Sequence, residues 1–171
     1  MWNRITGVFK LDSATFEEVE HDTTATGQAA LVVALVAILL GLGSGFTTLF
    51  GSGEFVRTFI GSLLSAFVGW ILWSAASYFA GTTLFGGKAD LGEMLRVIGF
   101  ASAPLMLGII PCIGGIIGAL WAAAAGFVAV RQGLDLDNGR AILTVLLGFV
   151  LYIAGYMILN LALGSFSGFL G

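Results

Sequence analysis

The sequence predicts an all-α integral membrane protein with five transmembrane helices and a short amphipathic helix at the N-terminus. Three observations lead to this prediction. The 171 residues are 58% hydrophobic and only 10% charged, whereas a soluble domain carries about 25% charged residues. The seven Lys and Arg and the ten Asp and Glu all lie outside four long apolar blocks. Both prolines lie inside the third block, where they predict a break between two helices.

The four charge-free blocks are long enough to cross a bilayer. A charged side chain at the bilayer centre costs about 3 kcal/mol, and a spanning helix needs about 20 mostly apolar residues. The blocks contain 31, 30, 34 and 31 residues and cover 23–53, 58–87, 97–130 and 141–171. We therefore interpret them as membrane-embedded segments and the charged strips between them as loops.

The third block differs from the others because Pro104 and Pro111 interrupt it. Proline removes a backbone donor and clashes with the preceding turn, so both residues are predicted helix breaks. A cut at Pro111, which Cys112, Ile113, Gly114 and Gly115 follow, predicts two helices joined by a short Pro/Gly turn. The piece before it measures about 21 Å, which is short for a core of about 30 Å unless the helix begins near Leu91 or the bilayer thins.

The distribution of positive charge favours two crossings by the third block. Lys and Arg accumulate near span ends on the cytoplasmic side. One crossing would put four of these residues inside and three outside. Two crossings put only Arg57 outside and six inside, namely Arg4, Lys10, Lys88, Arg96, Arg131 and Arg140. A re-entrant hairpin gives the same count. The sequence predicts a cytoplasmic N-terminus and an external C-terminus, in a prokaryotic plasma membrane.

Residues 1–22 are predicted to form a cytoplasmic interfacial segment ahead of the membrane domain. Trp2, Ile5 and Phe9 are spaced like one face of a short interfacial helix, and the alternative is a disordered terminus. Ser13 is a candidate N-cap for a second short helix. The five predicted spans are approximately 28–50, 57–83, 92–110, 112–130 and 141–163.

Small residues at four-residue spacing predict where the spans pack, because close backbone approach drives helix association in lipid. Tight packing within one chain is the leading interpretation, and a homo-oligomer formed through one of the two ladders is the alternative. The residues are Gly114, Gly118, Ala122 and Gly126 in the third block, and Gly61, Ser65 and Gly69 in the second.

The sequence contains no catalytic, metal-binding or cofactor-binding motif that we recognise. The chain has one His and one Cys, and no Asp, Glu, Lys, Arg or His falls in the apolar blocks; such residues are the usual mark of a transport path. Seven scattered basic residues do not predict nucleic-acid binding. Charged residues gather in two loops, which are the candidate surface for a protein partner: Lys88, Asp90, Glu93, Arg96, Arg131, Asp135, Asp137 and Arg140.

Three stretches resemble the Yip domain family, the Ypt/Rab-interacting-protein membrane fold. Residues 12–19, with Asp22 and residues 25–29, resemble the leader before the first span of prokaryotic members. Residues 85–104 are similar to the glycine-rich loop that runs into a glycine–aromatic–x–x–x–proline start of the third span. Residues 139–141 are similar to the opening of the last span.

The resemblance implies five spans and a cytoplasmic N-terminus. In eukaryotic members it also implies vesicle traffic and the binding of prenylated Rab-type GTPases. This sequence departs from those members because it lacks their acidic–Leu–Tyr–Gly–Pro block and their long soluble N-terminal region. It therefore resembles a compact prokaryotic-type member.

The leading functional hypothesis is a non-enzymatic membrane scaffold or adaptor that acts through its cytoplasmic loops, with the lipid bilayer and a membrane or cytoplasmic protein as partners. A small transporter or channel that uses the Pro104–Pro111 break is one alternative. A lipid-binding or membrane-shaping protein that uses the N-terminal segment is the other.

Overall fold

The structure, a computed structural model, describes residues 1–49, 55–110 and 113–169. Within these ranges the chain is helical and contains no strand. It forms seven α-helices and one 3₁₀ helix, with these bounds: α1 Trp2–Phe9, α2 Ser13–His21, α3 Ala25–Leu49, α4 Phe55–Phe85, α5 Leu91–Ala101, the 3₁₀ helix Ala103–Ile109, α6 Gly114–Gly133 and α7 Asn138–Phe169.

Five helical segments are long and apolar enough to cross a membrane, which confirms the predicted fold class. They are Ala25–Leu42, Phe59–Phe85, Leu91–Ile109, Gly114–Gly133 and Asn138–Leu159. The third of them combines α5 with the 3₁₀ helix. In the bundle, α3 packs on α4 and α5, α7 packs chiefly against α4, and α6 packs chiefly against the 3₁₀ helix and α5.

The third charge-free block forms two antiparallel legs. The first leg begins at Leu91 and continues from α5 into the 3₁₀ helix, in which Pro104 occupies the first turn. Because a 3₁₀ helix rises about 2.0 Å per residue, the seven residues of this helix add about 14 Å to the roughly 16 Å of α5. Both legs therefore measure about 30 Å, the thickness of the hydrocarbon core. Pro111 and Cys112, in the predicted Pro/Gly turn, lie outside the described residues.

Helices α1 and α2 form a hairpin that packs on the bundle. Its turn contains Leu11 at a φ of 55°, and its two helices approach so closely that a Cβ on Gly7 would collide with the side chain of Thr15. The predicted N-cap at Ser13 is wrong: the side chain of Asp12 accepts the cap hydrogen bond from the Ala14 N–H. The Asp12 carboxylate, one residue earlier, takes the capping role and also accepts from the Thr15 hydroxyl at 2.8 Å.

The hairpin closes one end of the bundle, which we call the charged end. This end carries α1, α2, the α4–α5 loop and the α6–α7 loop. Ile5 and Val8 of α1 and Phe16 and Val19 of α2 are buried against the bundle, where α1 contacts the 3₁₀ helix, α5 and α6, and α2 contacts α5 and α6. The apolar face of α1 is therefore covered by protein, although Trp2 remains 67% exposed.

Candidate functional site

The two loops at the charged end are fastened to each other. The backbone N–H of Lys88 donates to the carbonyl of Leu134 at 3.0 Å. The Leu134 side chain is fully buried, and Cβ atoms on Gly81 or Gly87 would lie within 3 Å of it. Both glycines thus make room for Leu134, which locks the α4–α5 loop onto the α6–α7 loop.

Each loop also ends in a capped helix, which fixes the position of its carboxylates. Asp90 and Glu93 form a capping box at α5, with Oδ1 of Asp90 accepting from the Glu93 N–H at 2.8 Å and Oε2 of Glu93 accepting from the Asp90 N–H at 2.6 Å. Asp137 accepts from the Arg140 N–H at 3.0 Å at the start of α7. Such caps stabilise a helix end by about 1 kcal/mol each.

Five of the predicted partner-face residues form an exposed surface, which we call the loop surface. Arg140 pairs with Asp137 at 3.3 Å and also donates to the carbonyl of Phe85 at 3.4 Å. An exposed pair of this kind contributes under about 1 kcal/mol. The members of the loop surface are Lys88, Asp90, Asp135, Asp137 and Arg140.

Arg96 does not belong to that surface, which corrects its predicted place on a partner face. Its side chain is only 6% exposed and donates from Nε and a terminal nitrogen to the backbone carbonyl of Glu20, at 2.9 and 2.5 Å. The carbonyl lies at the C-terminal end of α2, where a positive charge is favoured. Arg96 therefore holds the hairpin on α5.

Glu93 and Arg131 are intermediate cases, since both are half-buried. Glu93 serves the capping box, and Arg131 donates to the hydroxyl of Ser13 at 2.8 Å and to Oδ1 of Asn138 at 3.2 Å. Arg131 thus ties α6 to the hairpin and to the start of α7.

Glu20 was not predicted as a functional residue, although it is the most unusual acid of the charged end. It is 5% exposed, and its Oε2 atom has no hydrogen-bond partner in the described structure. Burial raises the pKa of Glu20 to about 7, and the nearby carboxylates of Glu17, Glu93 and Asp135 act in the same direction. The sequence did hold a signal for the burial of Glu20: it follows Phe16 by one helical turn, so both residues lie on the same face of α2.

The outer side of the hairpin is held by Arg4. Its guanidinium donates to Glu18 at 2.8 and 3.0 Å, to Asp22 at 2.6 Å and to Gln28 of α3 at 3.2 Å. A hydrogen bond from the Thr24 hydroxyl, followed by the one from Arg4, lowers the pKa of Asp22 to about 2. These contacts join α1, α2 and α3.

A cavity of about 630 Å³ lies in the membrane-embedded part of the bundle, and all five spans line it. Val33 and Val36 come from α3, Trp70 and Trp73 from α4, and Ile98 from α5. The 3₁₀ helix adds Leu105, α6 adds Ala119 and Ala123, and α7 adds Val145 and Phe149. The lining is apolar except for the hydroxyls of Ser65, Ser102 and Tyr152 and the indole N–H groups.

Four of the seven residues predicted to pack helices line this cavity instead. They are Ser65 and Gly69 in α4 and Ala122 and Gly126 in α6. A Cβ added to Gly126 would meet no atom within 4 Å. At these positions the small side chains leave space between helices.

The remaining predicted packing residues divide into two groups. Gly114 and Gly118 do pack closely, because Cβ atoms there would collide with the carbonyls of Leu107 and Pro104 in the 3₁₀ helix. Gly61 is exposed, and a Cβ added to it would also meet no atom within 4 Å. The prediction of close packing within the chain is therefore wrong for Gly61 and Gly126.

An aromatic cluster that the sequence analysis missed forms one wall of the cavity. Trp73 of α4 meets Phe149 and Tyr152 of α7 edge to face, with ring centroids 5.8 and 5.7 Å apart. Trp70 donates its indole N–H to the carbonyl of Leu95 at 2.9 Å. The signal in the sequence was the three-residue spacing of Trp70 and Trp73, matched by Phe149 and Tyr152, which places each pair on one helix face.

The size of the cavity shows that something must fill it. At about 24 cal/mol per Å³, a sealed and empty void of this volume would cost on the order of 15 kcal/mol. That exceeds the net stability of most domains. The cavity is not sealed, because Leu146 and Phe149 of its lining are exposed, so the surrounding medium can occupy it.

The sequence pattern of the Yip1 domain matches residues 6–160. The chain belongs to the Yip1 domain family. The match includes the hairpin from Thr6 onward, both charged loops and all five spans as far as Asn160. Neither a curated protein nor a solved structure matches the chain.

Proposed function

We propose that this Yip1-family protein is a non-enzymatic membrane adaptor that captures a protein partner on its loop surface. The observation that carries the proposal is the combination of exposure and rigidity. Five charged side chains are exposed, while the loops that bear them are fixed by the Lys88–Leu134 hydrogen bond and by two capped helices. A rigid surface binds with a smaller loss of conformational entropy than a mobile loop does.

We further propose that the charged end faces the cytoplasm of a prokaryotic cell. The described structure supports this because α3, α5 and α7 begin at that end and α4 and α6 finish there. Six of the seven basic residues then share one side of the membrane, as the positive-inside rule requires.

The orientation can be tested by labelling single cysteines in a variant with Cys112→Ser. We expect a membrane-impermeant thiol reagent to reach Ile113→Cys in intact cells and to reach Lys88→Cys and Asp135→Cys only after lysis. Labelling of residue 88 or 135 in intact cells would reverse the assignment.

The adaptor function can be tested by affinity capture from native membranes with quantitative mass spectrometry. The test variant is Lys88→Glu combined with Arg140→Glu, because neither of these side chains supplies a helix cap. We expect proteins that co-purify with the wild type to fall at least tenfold. The control is Lys10→Glu, a single charge reversal at an exposed residue of the hairpin turn, and it is compared with Lys88→Glu and Arg140→Glu made singly as well as together. Equal capture by the test variant and the control would reject the proposal.

A further inference from the structure

We propose that the central cavity is a binding site for one hydrocarbon chain of a bilayer phospholipid, which enters between α6 and α7. This activity is separate from partner capture at the loop surface. Four properties of the cavity support this assignment: its depth, its chemistry, its access and its size.

The cavity lies at the depth of the lipid chains. Gly126 and Ala119 of α6 are 7 and 14 residues from the end of the helix at Gly133, so their levels are about 10 and 21 Å from the charged end. Val145 and Tyr152 of α7 lie 7 and 14 residues after Asn138, at the same two levels. A bilayer core of about 30 Å places this region around the midplane.

The chemistry of the lining suits a hydrocarbon and does not suit a headgroup. None of the lining residues that the structure describes carries a formal charge. The hydroxyl of Ser102 already donates to the Gly99 carbonyl at 2.6 Å. A phosphate or ammonium group would lose its hydration there without gaining a charged partner, so the headgroup remains at the membrane surface.

Access from the bilayer is provided by the separation of α6 and α7. Both helices line the cavity, and α7 packs chiefly against α4. Leu146 and Phe149 of α7 are 57% and 51% exposed, and Ala119 and Ala123 of α6 are exposed. Lipid that touches this face therefore reaches the lining residues.

The cavity has a volume of about 630 Å³ and is lined by all five spans. A single chain fits between them more readily than a helix from a second protein copy, because a helix is about 10 Å in diameter. A flexible aliphatic chain is much thinner. The small residues Gly69, Ala122 and Gly126 leave the room that it needs.

Gly126 provides a direct way to fill the site. It borders the main cavity and an adjoining space of about 150 Å³, and Trp73 lines both. Because a Cβ added at residue 126 meets no atom within 4 Å, we expect Gly126→Leu to place its side chain in the cavity beside Trp73.

The test uses quenching of tryptophan fluorescence in vesicles of phosphatidylethanolamine and phosphatidylglycerol whose acyl chains are brominated at mid-chain. The background variant Trp2→Phe with Trp121→Phe leaves Trp70 and Trp73 as the only indoles. We expect strong quenching in this background and at least a twofold smaller quenching after Gly126→Leu. The control is Gly115→Leu, which makes the same change at an open glycine of α6 that does not line the cavity.

Three outcomes would overturn the inference. Absence of quenching in the background variant would show that lipid chains do not enter, as would be the case if protein filled the space. Equal quenching with Leu and with Gly at residue 126 would show that the quencher lies elsewhere. Quenching by a brominated free fatty acid in unbrominated vesicles, without quenching by brominated phospholipid, would assign the site to free fatty acid.

Discussion

The charged end and the membrane centre of this protein are packed in opposite ways. At the charged end, Phe16, Met94 and Leu134 are fully buried, and glycines such as Gly81 and Gly133 lie against neighbouring side chains. At the centre, Gly69, Ala122 and Gly126 border a cavity of about 630 Å³. The interior core of the protein thus lies beside the hairpin, where polar contacts fix the chain, while the membrane centre keeps space for lipid.

The difference has a physical basis. Near the charged end, water competes for polar groups, so burial of apolar side chains under α1 and α2 gains hydrophobic free energy. At the bilayer centre the surroundings are already apolar, and helices associate only through packing and hydrogen bonds. A lipid chain can therefore replace a protein contact there at little cost.

The largest expected effect comes from removing the tether at the charged end. Arg96→Met eliminates two hydrogen bonds to the buried Glu20 carbonyl and should lower the free energy of unfolding by about 3 kcal/mol, because charge-assisted hydrogen bonds are the strong ones and an orphaned carbonyl adds a penalty. Unfolding by denaturing detergent in mixed micelles measures the change. Arg140→Met, at an exposed pair, should cost under about 1 kcal/mol. Equal losses would mean that Arg96 does not hold the hairpin.

The second effect compares two glycines of the same ladder in α6. A Cβ on Gly118 would lie 2.8 Å from the carbonyl oxygen of Pro104, so Gly118→Leu should destabilise the protein by about 3 kcal/mol through overpacking. A Cβ on Gly126 meets no atom within 4 Å, so Gly126→Leu should be neutral or stabilising by up to about 1 kcal/mol, since Leu is the better helix former. The same unfolding titration in one detergent measures both, and similar losses at the two sites would show that the cavity closes.

The smallest effect is the pH dependence that Glu20 introduces. The pKa of Glu20 is raised from 4.5 to about 7 in the folded protein, so the folded state binds more protons than the unfolded state between those values. This contribution to stability is fully present below pH 4.5 and is lost as the pH rises through about 7. Glu20→Gln should flatten this part of the stability curve relative to the wild type, measured by unfolding at pH 5 and pH 8. If the free energy of unfolding of the wild type rose between pH 5 and pH 8, and Glu20→Gln gave the same curve, Glu20 would not be the group responsible for the pH dependence.

The number of spans was predictable because charge is excluded from lipid regardless of packing. The third block illustrates this. The six-to-one charge count favoured two crossings, and the structure has two legs there: α5 continued by the 3₁₀ helix is one, and α6 is the other. The length of the first leg was the weak point. That length depends on the 3₁₀ helix around Pro104. A 3₁₀ helix rises more per residue than an α-helix, but this difference leaves no mark on the hydrophobicity pattern of the sequence.

The site was predictable only in part. The exposed charges of the loop surface were found because loops between spans face water. The prediction for Arg96 was wrong because a residue in the second turn of α5 can be either solvated or buried. Only the hairpin that packs over Arg96 buries its side chain. Gly118 and Gly126 carry the same signal in the sequence, but one faces the 3₁₀ helix and the other faces the cavity.

By itself, the sequence determined which segments are long and apolar enough to enter the membrane, because insertion depends on transfer free energies that add up residue by residue along each segment. The tertiary structure alone decided which small residues make contact and which leave space, and which charges are buried. Those properties depend on the neighbouring helix that each residue faces, and the periodicity of a single helix does not specify its neighbour.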